Sequence, residues 1–467
     1  MIKTIAIPQM GNLKNVWNKL VFLLASGHQG IRDVLISGIP QIATMATGLI
    51  VSIVIARALG PSSMGQYALV MSVAGMVMSL SDLGIGQTAI RYASLALGSR
   101  DADAHFAVLR WAFRLRMTLV FLIVLFVYCM APAIAINIWH QPMLTSYIRI
   151  SLFICIFTAI AAIPRVYFQS IKYFGMNSLV QVAQALITLT GILVLASWNH
   201  WTLENLIGVM IISAALGAGI MLLMVPRAAV IARPPNICKA GFLEGLKAIW
   251  RNPVNETLDE TGCQVERPST FAFYMFVSSL IIVISQQMDI WLIGHYMPSS
   301  EVGKFHLAMR FVLPLTFFLT AVNTALWPRA AGLKDPVAII SLAKRTLRLI
   351  LLALIPLILY SILVPILVPV VFGSEYASII GLTQLLCLRF CLSILINPIA
   401  LISYSLGLIR LQCMINVFNL VVLTGVEIIL LGKMGAYATV LARTITTATT
   451  VLILLPPAIM FYKKYNS

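Results

Sequence analysis

The chain has 467 residues, of which 60% are hydrophobic and 10% charged, and 32 basic against 15 acidic side chains give a formal net charge of +17. A soluble domain carries roughly a quarter charged residues, so this composition excludes one water-soluble core. A basic excess of this size also raises nucleic acid as a partner, and the placement of the charges excludes it, because they collect between apolar runs of about 20 residues that each suit a membrane-crossing helix.

Residues 1–33 are mixed in character, and their apolar run from Leu20 to Ala25 is too short to span a bilayer. They read as a cytoplasmic segment with a short interfacial helix and no cleavable signal peptide. Hydropathy then predicts about twelve spans: 34–56, 65–88, 114–137, 145–168, 178–197, 203–225, 271–296, 303–327, 347–370, 377–405, 411–432 and 436–461. With the N-terminus inside, 25 of the 32 basic residues fall on the inward segments and helix ends, while the outward loops hold Arg57, Lys304 and Lys433. That bias sets orientation with both termini cytoplasmic.

The first span carries Thr44, Gly48, Ser52 and Ala56 at four-residue spacing. They form a small-residue stripe that admits a close helix neighbour. Asp82 closes the second span in Ser81-Asp82-Leu83-Gly84-Ile85-Gly86, where it caps or pairs locally. Asp101-Ala102-Asp103 resembles the metal-binding pair of some glycosyltransferases, but it sits in a short Arg-rich inward loop with no nucleotide-sugar domain. Arg149 lies early in the fourth span, near the outer interface, where it can snorkel. Residues 226–270 form the longest connection, an inward linker. Its Asn255-Glu256-Thr257 sequon is a chance match on the cytoplasmic side. The linker separates an N-terminal bundle, 34–225, from a C-terminal one, 271–467.

The two parts repeat. Pro61-Ser62-Ser63-Met64-Gly65-Gln66-Tyr67 nearly recurs as Pro298-Ser299-Ser300-Glu301-Val302-Gly303-Lys304-Phe305, with one extra residue. Six spans separate the copies, an even number, so the halves are parallel repeats about an axis along the membrane normal. Arg149 and Arg389 lie 240 positions apart and Asn177 and Asn416 lie 239 apart, at like places in each half. Transporters built this way place their substrate path between the copies.

Charge inside the bilayer is costly and marks function or pairing. In the second half, Asp289 and Arg310 lie at similar depth on consecutive helices, as do Glu427 and Arg443, and each pair is positioned to neutralise itself. Arg389 is near the midplane with no acid at that depth on its sequence neighbours, beside Gln384 and Asn397. A free guanidinium there favours an anion, and its fork fits phosphate oxygens. Arg389, with Arg310, Arg443 and Arg149, forms the candidate substrate set; Asp289, Glu427 and Asp82 are the candidate coupling acids. Prolines 164, 314, 356, 365 and 398 are set to kink their spans. Cys129, Cys155, Cys387, Cys391 and Cys413 read as packing residues. The sequence shows no phosphate loop and no metal spacing among its histidines, so no cofactor and no metal are expected.

Ala56-Arg57-Ala58-Leu59-Gly60-Pro61, Met64-Gly65-Gln66-Tyr67, and Asp82-Leu83-Gly84-Ile85-Gly86 with Arg91 resemble the opening of bacterial polysaccharide flippases. These are the O-antigen repeat-unit flippases of the multidrug/oligosaccharidyl-lipid/polysaccharide exporter superfamily. Gln287-Met288-Asp289, Val302-Gly303-Lys304-Phe305 and Ala308-Met309-Arg310 resemble the start of their second half. The resemblance implies an all-α inner-membrane protein of two six-helix bundles. It implies that an undecaprenyl-pyrophosphate-linked oligosaccharide moves from the cytoplasmic to the periplasmic leaflet by alternating access around a cationic cavity. It further implies an H+ or Na+ gradient as the drive, membrane lipids as surroundings and a polysaccharide polymerase complex as a partner. The segment 251–268 departs from the pattern. A multidrug exporter of the same superfamily is the alternative, weakened by the basic excess within the spans. A membrane polymerase or ligase would need a large external loop, and none is predicted.

Overall fold

A computed structural model describes residues 29–98, 101–171, 173–198, 201–225, 268–331, 336–399 and 409–465. Most of the expected N-terminal segment and of the 226–270 linker therefore lies outside the described residues. The described chain is helical throughout: α1 Gln29–Asp82, α2 Ile85–Gly98, α3 Ala102–Ala133, α4 Leu144–Ser170, α5 Phe174–Trp198, α6 Leu203–Met224, α7 Pro268–Tyr296, α8 Ser299–Ala331, α9 Pro336–Phe372, α10 Ile380–Ile394, α11 Ile409–Met434 and α12 Tyr437–Tyr465. Helices satisfy their own backbone groups, which an apolar medium requires. Among the described residues, ten segments are long and apolar enough to cross a membrane, and the protein is a multi-pass membrane protein.

The helices run back and forth, so their connections gather at two ends. One end, here the turn end, holds the connections after Gly60, Trp139, Trp198, Met297, Phe372 and Met434. The opposite, basic end holds the breaks after Asp82, Gly98 and Ser170. Local chemistry explains the breaks. Helix α1 is two arms meeting at Gly60, whose φ of 78° is accessible to glycine. The expected 65–88 span stops sooner, at Asp82, because Leu83 and Gly84 take φ of 33° and 84° and redirect the chain into α2. Helix α3 starts at Asp101, whose side chain accepts from the Ala104 N–H at 2.9 Å, so the Asp101-Ala102-Asp103 pattern serves as a helix cap. Asp101→Ala should cost about 1 kcal/mol, read as a lower thermal midpoint in detergent with transport unchanged. The expected continuous 377–405 span is also broken. A 3-10 turn, Ser374–Ile379, leads into α10, which ends at Ile394, four residues before Pro398, whose ring clashes with a helical carbonyl at that spacing.

Large apolar side chains point outward, among them Phe121 and Phe126 on α3, Ile355 and Ile366 on α9 and Ile429 on α11. In water such a surface would be unstable; in lipid it is the natural exterior. The larger buried core draws on both halves of the chain and includes Ile55, Met64, Leu69, Trp139, Phe305, Phe372 and Tyr376. A smaller core, around Leu109, Ile163, Phe168 and Met221, belongs to the first half alone.

The halves are joined near the turn end. Arg57 donates to the carbonyls of Val370 and Val371 at 2.7 and 3.0 Å. The Tyr376 hydroxyl donates to the Ala56 carbonyl at 3.0 Å, and the Trp291 indole donates to Ser72 Oγ at 2.9 Å. Trp139 and Trp291 meet edge to face. The near-repeated segments meet each other: a Cβ at Gly65 would strike the Ser299 carbonyl oxygen, and one at Gly303 would strike the Pro61 carbonyl oxygen. The small stripe of α1 faces the same way, with Gly48 lying against the Arg310 guanidinium.

Candidate functional site

Five of the seven candidate residues belong to the second half, and the structure pairs them differently from the sequence expectation. Asp289 on α7 does not neutralise Arg310 on the next helix, and Arg443 on α12 does not pair with Glu427 alone. Instead Arg443 Nε lies 3.0 and 3.2 Å from the two carboxylate oxygens of Asp289, and its Nη2 donates to the Ser285 carbonyl. Helix α7 packs on α11, and α11 packs on α12, which brings these distant residues together. Glu427 on α11 is fully buried. Both its oxygens lack a donor, while Asp289 and Arg443 are its charged neighbours.

Two carboxyls beside one engaged guanidinium form a buried cluster whose parts depend on each other. Removing one member of a buried ion pair costs about 3–5 kcal/mol, because the other charge is stranded. Asp289→Ala should therefore destabilise the protein strongly, whereas Asp289→Ala with Arg443→Met should recover much of the loss. Thermal unfolding of the two variants in detergent checks this.

Arg389 on α10 lies within electrostatic reach of Asp289 and Arg443 but bonds neither. Its Nε is buried with no hydrogen-bond partner, and no ion pair to it occurs among the described residues. It opens onto a cavity of about 290 Å³ that Arg443, Gln286, Asn416, Asn419 and Thr447 also line. Gln384 and Asn397, which the sequence sets beside Arg389, do not line this cavity. Its polar wall is not among the sequence expectations. Asn416 donates to Ser278 Oγ, and Asn419 donates to Thr450 Oγ1 at 2.8 Å and accepts from Thr449 at 3.0 Å. A signal for it is present in Asn416 and Asn419, three apart on one face of α11, and in a threonine-rich stretch, 444–450, on α12, of which Thr446, Thr447 and Thr450 line the cavity.

The cavity sits within the second half, among α7, α10, α11 and α12, and not between the repeats where the sequence set the path. The surface between the halves has its own cation. Arg310 Nε is likewise buried without a partner, and its guanidinium lies against α1 at Gly48. His306, one turn earlier on α8, meets the ring of Tyr67 from the first half.

The remaining two candidates stay in the first half. Arg149 lies over the Tyr128 ring, 4.6 Å from its centroid, a cation–π contact that stabilises a partly exposed guanidinium. Asp82 pairs with Arg116 of α3. The structure brings neither to the second-half cluster. Among the described residues, no group of three or more His, Cys, Asp or Glu side chains is placed to hold a metal ion.

The overall fold recurs in membrane transporters. An inward closed structure of the lipid II flippase MurJ superposes with a TM-score of 0.68 at 16% identity, covering 92% of this chain and 90% of that one. An inward-facing multidrug resistance transporter of the MATE family, in the MOP superfamily, gives 0.66 at 12% identity, covering 92% and 99%. A MOP-superfamily transporter from Pyrococcus furiosus, described as having a binding pocket of reversed polarity, gives 0.61 at 11%, covering 92% and 96%. The chain thus has the fold of the MOP-superfamily transporters. No curated relative matches it in sequence. Residues 31–334 match the family of polysaccharide biosynthesis proteins; over most of its length, from the first arm of α1 to the connection after α8, this chain belongs to that family.

Proposed function

We propose that this protein is a flippase for a lipid-linked oligosaccharide, which it carries by its undecaprenyl-pyrophosphate end from the cytoplasmic to the periplasmic leaflet of the bacterial inner membrane. Twelve crossings form two six-helix bundles, 34–225 and 271–467, related as parallel repeats, with 226–270 linking them and both termini in the cytoplasm. The bundles alternate between a form sealed at the turn end and one sealed at the basic end, and the contacts between Arg57, Tyr376, Trp291 and their partners belong to the first of these.

The observation that carries this reading is Arg389, whose buried Nε has no hydrogen-bond partner among the described residues, beside a cavity lined by Arg443 and neutral amides and hydroxyls. Such a cation in an apolar setting is stabilised by an anionic ligand, and its fork matches phosphate oxygens. Amides and hydroxyls suit sugar hydroxyls. Arg310, facing α1 between the halves, gives a second cationic contact, with Arg443 and Arg149 as further contacts along the path. Membership of the polysaccharide biosynthesis family supports this choice of pathway. Asp289 and Glu427 are buried beside Arg443, with Arg389 in electrostatic reach, and Glu427 has no hydrogen-bond donor of its own, so these acids are the candidates to take up H+ or Na+ from the driving gradient; Asp82 is a secondary candidate. A polysaccharide polymerase complex would receive the product.

Deleting the gene should leave the complete lipid-linked repeat unit stranded on the cytoplasmic side, measured in spheroplasts by its resistance to an externally added periodate or lectin probe. Normal exposure of the unit in the deletion strain would overturn the proposal. The multidrug resistance neighbours favour a second reading, export of small drugs by the same fold. Increased drug sensitivity with intact surface polysaccharide would select that reading instead.

A further inference from the structure

The second half supplies the transport site, yet another unbalanced pair of cations lies at the basic end of the first half. Arg116 on α3 and Arg165 on α4 are within electrostatic reach of each other. Arg116 shares the carboxylate of Asp82 through one terminal nitrogen, and its Nε is buried without a partner. Arg165 Nε is also buried and unpartnered, and no hydrogen bond or ion pair to this residue occurs among the described residues. Two guanidiniums against one carboxylate leave one positive charge uncompensated where repulsion between like groups adds to the cost of desolvation.

Position identifies what could balance it. Asp82 ends α1, and Arg165 lies five residues before the end of α4, about 8 Å along the helix axis. That depth corresponds to the headgroup layer, where phosphate is the abundant anion. Arg165 is only half-buried as a residue, so a phosphate can reach it from the layer. Among the described residues, the one carboxylate paired here, Asp82, is engaged by Arg116, and a guanidinium fork left open beside it fits two oxygens of one phosphate.

We propose that Arg116 and Arg165 form a second anion site, separate from the Arg389 cavity, that takes a phosphate group at the basic end of the first half. The phosphate belongs either to an anionic phospholipid that seats the first half in the membrane or to a pyrophosphate headgroup on arrival. The two sources share one chemistry and separate experimentally.

The test uses the full-length protein in phosphatidylcholine nanodiscs. Thermal unfolding and native mass spectrometry are followed as phosphatidylglycerol is included in the disc or inorganic pyrophosphate is added to the buffer. The wild-type protein should be stabilised by at least one of them: by phosphatidylglycerol alone if the site takes a lipid, and by soluble pyrophosphate as well if it takes the substrate headgroup. Arg165→Gln should weaken that binding by about tenfold or more, the loss of one charge-assisted bond. Arg165→Lys keeps the charge, loses the fork and should fall between them, and it carries the test if the glutamine variant does not fold. Arg114→Gln, an exposed neighbour on α3, should bind as wild type does. A wild-type protein that responds to neither anion overturns the proposal, as does undiminished binding by both Arg165 variants.

Discussion

Replacing Gly65 or Gly303 with leucine should cut leaflet transfer at least about tenfold, the largest effect expected from any substitution outside the charged cluster. These glycines hold corresponding places in the two near-repeated segments, and each lies under a backbone carbonyl of the other segment: Gly65 under Ser299, Gly303 under Pro61. The contact is therefore self-complementary, like that of a two-fold interface. Backbone cannot yield as a flexible side chain does, so a larger residue has to part α1 from α8. Overpacking costs about 1–3 kcal/mol or more, and each 1.4 kcal/mol changes a conformational ratio about tenfold. The seal at the turn end should then open, detectable as increased labelling of a cysteine placed at Ser62 from the turn-end side. At Gly208 on α6 an added Cβ would meet no atom within 4 Å, and Gly208→Ala should transport normally.

Arg389→Ala should produce the opposite combination, loss of function without loss of stability. Arg389 makes no direct ion pair among the described residues, and Asp289, the acid within its electrostatic reach, stays bonded to Arg443, so its removal breaks no ion pair and relieves a desolvation cost. The thermal midpoint should hold or rise, while transfer of the pyrophosphate-linked substrate falls at least about tenfold through loss of a charge-assisted contact. Arg443→Ala differs, because it strands Asp289, to which its Nε is bound at 3.0 Å, and it should unfold more readily as well as lose transfer. A stability change in Arg389→Ala as large as in Arg443→Ala would show that Arg389 is a structural cation and remove it from the substrate path.

Particular residues show how far the sequence can be read. Apolar runs and the Gly60, Gly84 and Gly435 breaks follow from local chemistry, so helix positions are legible, and Pro398 sits just past a two-residue break, 395–396, within its span. The near-repeat is legible as a repeat. That its two glycines meet is not, because the contact depends on how α1 and α8 rotate about their axes. Rotation also decides the ion pairs. Consecutive helices are the only neighbours that spacing offers, and Asp289 in fact bonds Arg443, 154 positions away. The neutral wall of the cavity is hidden for a different reason. An asparagine or threonine costs less in a membrane than an arginine, so Asn419 and Thr450 do not stand out in the sequence; their bond across α11 and α12 is visible only in three dimensions.

The most direct test of the central claim is leaflet transfer by the purified protein in liposomes. A polyprenyl-pyrophosphate oligosaccharide is incorporated in both leaflets, and the fraction open to an impermeant lectin or oxidant is followed with time under an imposed H+ or Na+ gradient. The account predicts protein-dependent transfer that the gradient accelerates and that Arg389→Ala lowers at least about tenfold. Liposomes in which the sugar stays in its leaflet, while the same protein moves a cationic drug, would contradict it.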